Sequence, residues 1–265
     1  MVDNLSVYWS GEAKEALLLG LDRLNIPPLS SMQEDKFALY AELLLSYNKK
    51  VNLTAIRDPV QVAIKHFLDS LSILRVLDNP QSFSLEYLRC RTKKQPCKIL
   101  DIGSGGGFPG VPLLIARPKL QVTLLDSQAK KLVFLKQLLI ALDQKAELAL
   151  GRAEEMAHQP EYRASFDIVV ARAVASLPML IELSVPFLQQ GGFFIAQKGA
   201  AYREELAEAA ATLKLLGAAY ITSEEFELPF PDGSVEKRAL LLFQKEKATS
   251  DEYPRSPKRI KKALS

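Results

Sequence analysis

The chain has 265 residues, a net charge of +3, and 48% hydrophobic and 25% charged residues, a composition that suits one large globular domain or two small ones. Two cysteines, Cys90 and Cys97, cannot build a multi-bridge framework, and the opening MVDNLSVYWSGEAKE lacks the basic-then-apolar order of a secretion signal. Lys136, Pro178 and Pro186 interrupt the longest apolar runs short of the roughly 18 residues a membrane-spanning helix needs, so a cytoplasmic protein without a membrane partner is expected.

Residues 1–80 read as a helical cap. Apolar positions recur at three-to-four spacing in EAKEALLLGLDRL, FALYAELLLSYN and VQVAIKHFLDSLSILRVL. Pro27 and Pro28 separate the first two stretches, and Asp58-Pro59 opens the third with an N-cap and a first-turn proline. Residues 81–97, which carry most of the basic stretch LRCRTKKQPCK (88–98), read as a linker. From there to residue 246, strand-like KILDIG, QVTLLD, AELAL, FDIVVA and FFIAQ alternate with helical segments, the rhythm of a parallel sheet. The alternation breaks near the end: a helix over 201–216 precedes AYITSEEFEL and KRALLLFQKE, and Asp232-Gly233 between them predicts an antiparallel hairpin. The fold class is therefore α/β, a mostly parallel, Rossmann-like sheet of seven strands with one antiparallel strand and an N-terminal helical extension. Residues 247–265 read as a disordered tail. Five basic residues (Arg255, Lys258, Arg259, Lys261 and Lys262) and no acid lie beyond Pro254, which leaves the rest of the chain at −2. Attraction to nucleic acid is the alternative to a merely solvated end.

The segment Asp101-Ile-Gly103-Ser-Gly105-Gly106-Gly107-Phe108-Pro-Gly110 carries the chemistry. Glycines allow positive φ and let a ligand approach the backbone. Gly105, Gly107 and Gly110 also satisfy the dinucleotide fingerprint, but Asp101, two residues before Gly103, gives D-x-G-x-G-x-G. That order resembles S-adenosylmethionine-dependent class I methyltransferases, in which an acid ending the next strand accepts the ribose hydroxyls; Asp126 stands there. The acceptor is narrowed by what is missing. No Asn/Asp-Pro-Pro-aromatic motif for exocyclic amines follows FDIVV, and neither cysteine lies after the glycine loop, where a C5-pyrimidine nucleophile would stand. An acceptor already nucleophilic when neutral, such as guanine N7, then needs only alignment.

Taken with NKKVNLT, KHFLDS, LLDSQAKK, GRAEE and VARAVASLP, in this order and spacing over residues 30–245, the chain resembles the small-subunit (16S) ribosomal RNA guanine-N7 methyltransferases, also called glucose-inhibited division protein B. Lys65 stands where that family usually has arginine and Asp126 where it often has glutamate; the basic tail and extended linker also depart from it. The resemblance implies S-adenosylmethionine as cofactor, held by Asp101, Gly103, Gly105, Gly107, Phe108, Asp126, Ser127, Gln128, Ala153, Glu154 and Arg172. Glu154 fits a solvated first-turn acid equally well. It implies small-subunit ribosomal RNA, or the small subunit itself, as partner of a monomer. Lys49, Lys50, Lys130, Lys131 and Lys198 are candidate phosphate contacts, although any one alone reads as solvated surface. His66, Asp69 and Ser70 would shape the site and order Asn48 and Asn52, with Lys198 beside them, rather than act as acid and base. A methyltransferase with another acceptor and a non-catalytic ribosome-assembly protein remain alternatives. Cys90 and Cys97 have no metal-ligand neighbours in the sequence, so no metal is expected.

Overall fold

The structure, a computed structural model, describes residues 9–78, 96–172 and 175–264. Most of the expected linker, with Cys90, therefore lies outside the described residues, while Cys97 is buried at the start of the first strand.

Helices α1 (Gly11–Arg23) and α2 (Ser31–Asn48) open the described chain. Ser30 caps α2 and forms a reciprocal capping box with Gln33. The Gln33 amide also donates to the carbonyl of Ile115 at 2.9 Å, tying this helix start to the last turn of a later helix. The third apolar stretch is an interrupted helix: α3 (Pro59–Val62), a π-turn over Ala63–Leu68, α4 (Asp69–Leu71) and α5 (Leu74–Leu77). Beyond the linker run β1 (Lys98–Ile102), α6 (Gly110–Ala116), β2 (Gln121–Asp126), α7 (Ala129–Ala141), β3 (Glu147–Leu150), α8 (Ala153–Met156), β4 (Phe166–Arg172) and α9 (Leu177–Ser184). Then come β5 (Leu188–Gly199), α10 (Tyr202–Glu208), α11 (Ala210–Leu216), β6 (Ala218–Pro229), β7 (Val235–Lys245) and α12 (Pro257–Leu264).

Among the described residues the strands form one seven-stranded sheet in the order β3-β2-β1-β4-β5-β7-β6. The first five are parallel, and β7 runs antiparallel to both β5 and β6. This matches the expected architecture.

Strand alternation sorts the core into two layers. Ile99, Val122, Leu124, Ile168, Val170, Phe193 and Ile195 face a cluster that also holds Leu17, Phe37, Tyr40, Phe67, Leu113 and Leu135. Leu100, Leu125, Val169, Ala171 and Phe194 face a second cluster with Leu180, Phe187, Leu213 and Tyr253. The N-terminal helices thus share their core with α6, α7 and the sheet instead of closing a core of their own. The same period of two assigns Asp101, Asp126, Arg172 and Gln197 to the N-terminal-helix face at the carboxyl ends of their strands.

The expectation of a disordered tail is overturned. Tyr253 is 7% and Ile260 1% exposed, α12 is helical, and Ile260 packs with Met179 and Leu183 on α9. The physical reason is that two apolar side chains, Tyr253 and Ile260, anchor a segment whose net charge alone favours solvation. Among the described residues no helix is long and apolar enough to cross a membrane.

Candidate functional site

The turn after β1 is tied to the end of β2. Gly103 and Ser104 both donate backbone N–H groups to the Leu125 carbonyl, at 2.8 and 3.1 Å. Gly105 N–H donates to Asp126 Oδ2 at 2.9 Å, and Gln128 N–H to Asp126 Oδ1 at 2.9 Å. A single carboxylate therefore shapes the loops after both β1 and β2. Gly103 (φ 71°), Gly105 (φ 57°) and Gly107 (φ 103°) occupy left-handed backbone, which L side chains adopt only with strain. At Gly105 a Cβ would meet only the Gly103 carbonyl, at 3.7 Å, so that stretch of loop faces open space. At Gly107 a Cβ would lie 2.5 Å from the Tyr40 hydroxyl and 2.9 Å from Val111. Gly107→Ala is expected to cost about 2 kcal/mol through left-handed strain and overpacking, read as a lowered urea midpoint with unchanged slope.

Asp101 is fully buried; its carboxyl accepts the Gly110 N–H at 2.9 Å through Oδ2 while Oδ1 has no partner, and its carbonyl accepts from Ser104 Oγ at 3.0 Å. Burial pushes its pKa up to about 7. Tyr40 reaches the loop from α2 and donates its hydroxyl to the Gly106 carbonyl at 2.6 Å.

The result is a cleft of about 320 Å³ at the carboxyl ends of β1, β2, β3 and β4, lined by Gly103, Asp126, Ser127, Gln128, Ala153, Glu154 and Arg172 among others. This is where open α/β sheets bind ligands. Ile102, Leu125, Lys131, Gly151, Arg152 and Leu183, absent from the expected set, complete the lining. Lys131 lines the cleft, its Nζ 3.7 Å from Asp126 Oδ2. Asp101, Gly105, Gly107 and Phe108 do not line the cleft. Asp101, Gly107 and Phe108 build the loop from behind, because Asp101 is engaged with Gly110, Gly107 lies against Tyr40, and Phe108 is 6% exposed.

Beside the cleft a polar cluster joins the N-terminal helices to β4. Phe108 stacks on His66 (centroids 4.4 Å apart, planes at 16°) and on Tyr40 (5.4 Å, 7°), with the Arg172 guanidinium 5.0 Å from its centroid. Arg172 donates to the Lys65 carbonyl at 3.0 Å and to Asp69 Oδ2 at 3.3 Å, and its Nη2 lies 3.3 Å from His66 Nδ1. A guanidinium has only donors, so Nδ1 accepts and the ring proton sits on Nε2, which donates to Thr54 Oγ1 at 2.7 Å. Burial, reinforced by Arg172, lowers the His66 pKa to about 3, so the imidazole is neutral at pH 7 with both nitrogens engaged. His66 sits in the π-turn, an irregularity that recurs at functional sites. Thr54 is itself positioned by Asn48, whose side chain accepts from the Leu53 and Thr54 N–H groups at 2.8 and 3.0 Å and donates to the Thr54 carbonyl at 2.8 Å.

Asp69 is 5% exposed, and burial raises its pKa despite Arg172 and Arg238 nearby. Gln197 donates to the Asp69 carbonyl at 2.6 Å, and Ser70 Oγ to the His66 carbonyl at 2.5 Å. Asn52 is exposed on the loop, as are Lys49, Lys50 and Lys130 on their own segments. Lys198 Nζ pairs with Glu205 at 2.7 Å and its side chain is only 12% exposed. Thr54, Gln197 and Arg238 also take part; Thr54 lies in the VNLT motif, whereas Gln197 and Arg238 reach the cluster only through sheet register, which local sequence does not show.

The model of the family described as rRNA small subunit methyltransferase G (GidB) matches residues 33–228. Curated relatives named Ribosomal RNA small subunit methyltransferase G include one from Desulfitobacterium hafniense, 41% identical over 88% of this chain and 89% of its own length. Another, from Lactobacillus helveticus, is 40% identical over 91% of this chain and 94% of its own. Among solved structures, M. jannaschii TYW2 in complex with AdoMet aligns with TM-score 0.46 and 13% identity, over 63% of this chain and 79% of that one. With a model matching most of its length and relatives of this identity along nearly all of it, the chain belongs to the rRNA small subunit methyltransferase G family.

Proposed function

We propose that this chain transfers the methyl group of S-adenosylmethionine to N7 of a guanine in small-subunit ribosomal RNA by direct in-line displacement, acting as a cytoplasmic monomer. The cleft suits that cofactor in its donor set. Asp126, ending β2, offers carboxylate oxygens to ribose hydroxyls, Ser127 and Gln128 follow it, Ala153 and Glu154 flank a position for adenine, and Arg172 can meet a carboxylate. When bound, the cofactor supplies a sulfonium methyl whose leaving group departs neutral.

The observation that carries the choice of acceptor is the state of the polar cluster. His66 is neutral with both ring nitrogens in hydrogen bonds, and Asp69 is held by Arg172. His66 has no free ring nitrogen to take a proton from an attacking group, and Asp69 Oδ1, which has no hydrogen-bond partner, is buried 3.7 Å from the Arg238 guanidinium. Guanine N7 attacks through a lone pair that carries no proton, so the chain's contribution is alignment and exclusion of water. His66 and Asp69 then serve as positioning residues: they fix Arg172 and the Asn48–Thr54 loop at the rim.

The test is transfer of labelled methyl from S-adenosylmethionine to isolated small subunits, naked 16S RNA, protein and metabolite pools, followed by digestion to nucleosides. Label in 7-methylguanosine is the expected result. Label confined to protein or metabolites transfers the reading to another acceptor, and label nowhere, with RNA binding intact, supports a non-catalytic assembly role.

A further inference from the structure

The segment after β7 is anchored along its length. Thr249 Oγ1 donates to the Leu216 carbonyl at 2.8 Å, and the Arg163 guanidinium donates to the carbonyls of Ala157, Thr249, Ser250 and Tyr253 at 2.9–3.1 Å. Arg255 closes on Glu182, which is 0% exposed, with Nε and Nη2 donating at 2.9 and 2.7 Å and its backbone N–H at 2.8 Å. Both groups are thereby neutralised. Ile260 then seats α12 on Met179 and Leu183, a cluster against which Ala153 and Ala175 also pack. Leu183 and Ala153 line the cofactor cleft as well, so α12 and the cleft share a wall.

What α12 leaves outside is cationic. Lys258, Arg259, Lys261 and Lys262 are all exposed, and the helix has no acidic residue. Lys258 to Lys262 spans about 6 Å of helix axis, with Lys258 over Lys261 and Lys262 on adjoining turns. An amphipathic basic helix can also rest on an anionic membrane, but that mode needs a free apolar face. Here Ile260 is only 1% exposed, already committed to the protein body. A phosphodiester backbone needs only the charges.

We propose that the exposed basic face of α12 binds the sugar-phosphate backbone of the RNA substrate beside the mouth of the cofactor cleft. The proposal rests on the RNA reading above and extends it to a surface beyond the stretch the family model matches. The anchored helix holds its charges at a fixed distance from the reacting base, so it contributes to docking and not to the chemical step.

The test compares the full chain with the variant Lys258→Ala/Arg259→Ala/Lys261→Ala, alongside a charge-conserving Lys258→Arg/Lys261→Arg variant. Binding of small-subunit RNA is measured against KCl concentration, and S-adenosylmethionine binding is followed by calorimetry. The alanine variant is expected to bind RNA about 10-fold more weakly, with the slope of log K against log salt shallower by about 2, each lost contact removing about 0.7–0.9. Its cofactor affinity and kcat stay unchanged while KM for RNA rises, and the arginine variant behaves as the parent. An unchanged affinity and slope in the alanine variant overturns the proposal. So does tighter parental binding to phosphatidylserine vesicles than to RNA, lost in the alanine variant. If the parent binds RNA with the expected slope but methylates none, the proposed reaction fails while the docking surface stands.

Discussion

Replacing Asp126 by alanine is expected to raise the dissociation constant for S-adenosylmethionine about 100-fold. Two charge-assisted hydrogen bonds to ribose hydroxyls, at about 1.5 kcal/mol each, amount to about 3 kcal/mol, or roughly two decades of affinity. The same substitution frees Gly105 N–H and Gln128 N–H, both of which the carboxylate now accepts, so the pre-shaped loop loosens as well. Asp126→Asn retains one acceptor oxygen and is expected to lie between the two. Titration calorimetry measures the constants, with thermal unfolding of each variant in parallel. An alanine variant that folds and binds within about threefold of the parent removes Asp126 from the cofactor site.

The second large effect is a pH dependence centred on Asp101. Burial raises its pKa from an ordinary carboxylate value to about 7 in the folded chain. Between pH 4 and 7 the unfolded chain has lost this proton and the folded chain still holds it. Folding is therefore progressively disfavoured as pH rises through that window, by about 4 kcal/mol in all at 1.36 kcal/mol per pKa unit. Above pH 7 both states are ionised and the penalty is constant. Asp101→Asn removes the titration, and its side-chain oxygen can still accept the Gly110 N–H. Any fixed cost of an unpartnered amide group shifts all pH values equally. The stability difference between parent and variant is thus expected to move in the variant's favour by about 4 kcal/mol from pH 4 to pH 8, measured by urea unfolding across the range. A difference that stays flat shows that Asp101 ionises normally in its buried position.

The parts of the fold written in local pattern were readable before any coordinates. Alternating strands and helices gave the parallel sheet, Asp232-Gly233 marked the hairpin, and the glycine run after Asp101 located the loop. Position on the strand also placed Asp126 and Arg172 at the cleft. The rest depends on contacts distant in sequence. Nothing near Arg172 announces that it will bind the Lys65 carbonyl 107 residues earlier, or that Lys198 will be neutralised by Glu205. Arg255 illustrates the same limit: counted with its neighbours it reads as loose positive charge, yet its partner Glu182 lies 73 residues upstream. The π-turn was equally hidden, because it changes which residues share a face without altering the apolar pattern.

The strand order has a bearing on how the molecule is made. Because β7 lies between β5 and β6, the edge of β5 stays unpaired during synthesis until the chain has been extended through Lys245. Arg238, carried on that same late strand, stands 3.7 Å from Asp69, so the second of the two arginines facing that early-made carboxylate arrives late. A nascent chain halted before β7 therefore exposes an open sheet margin of the kind that recruits chaperones or aggregates, and completion of the hairpin is the event that makes the newborn protein self-sufficient.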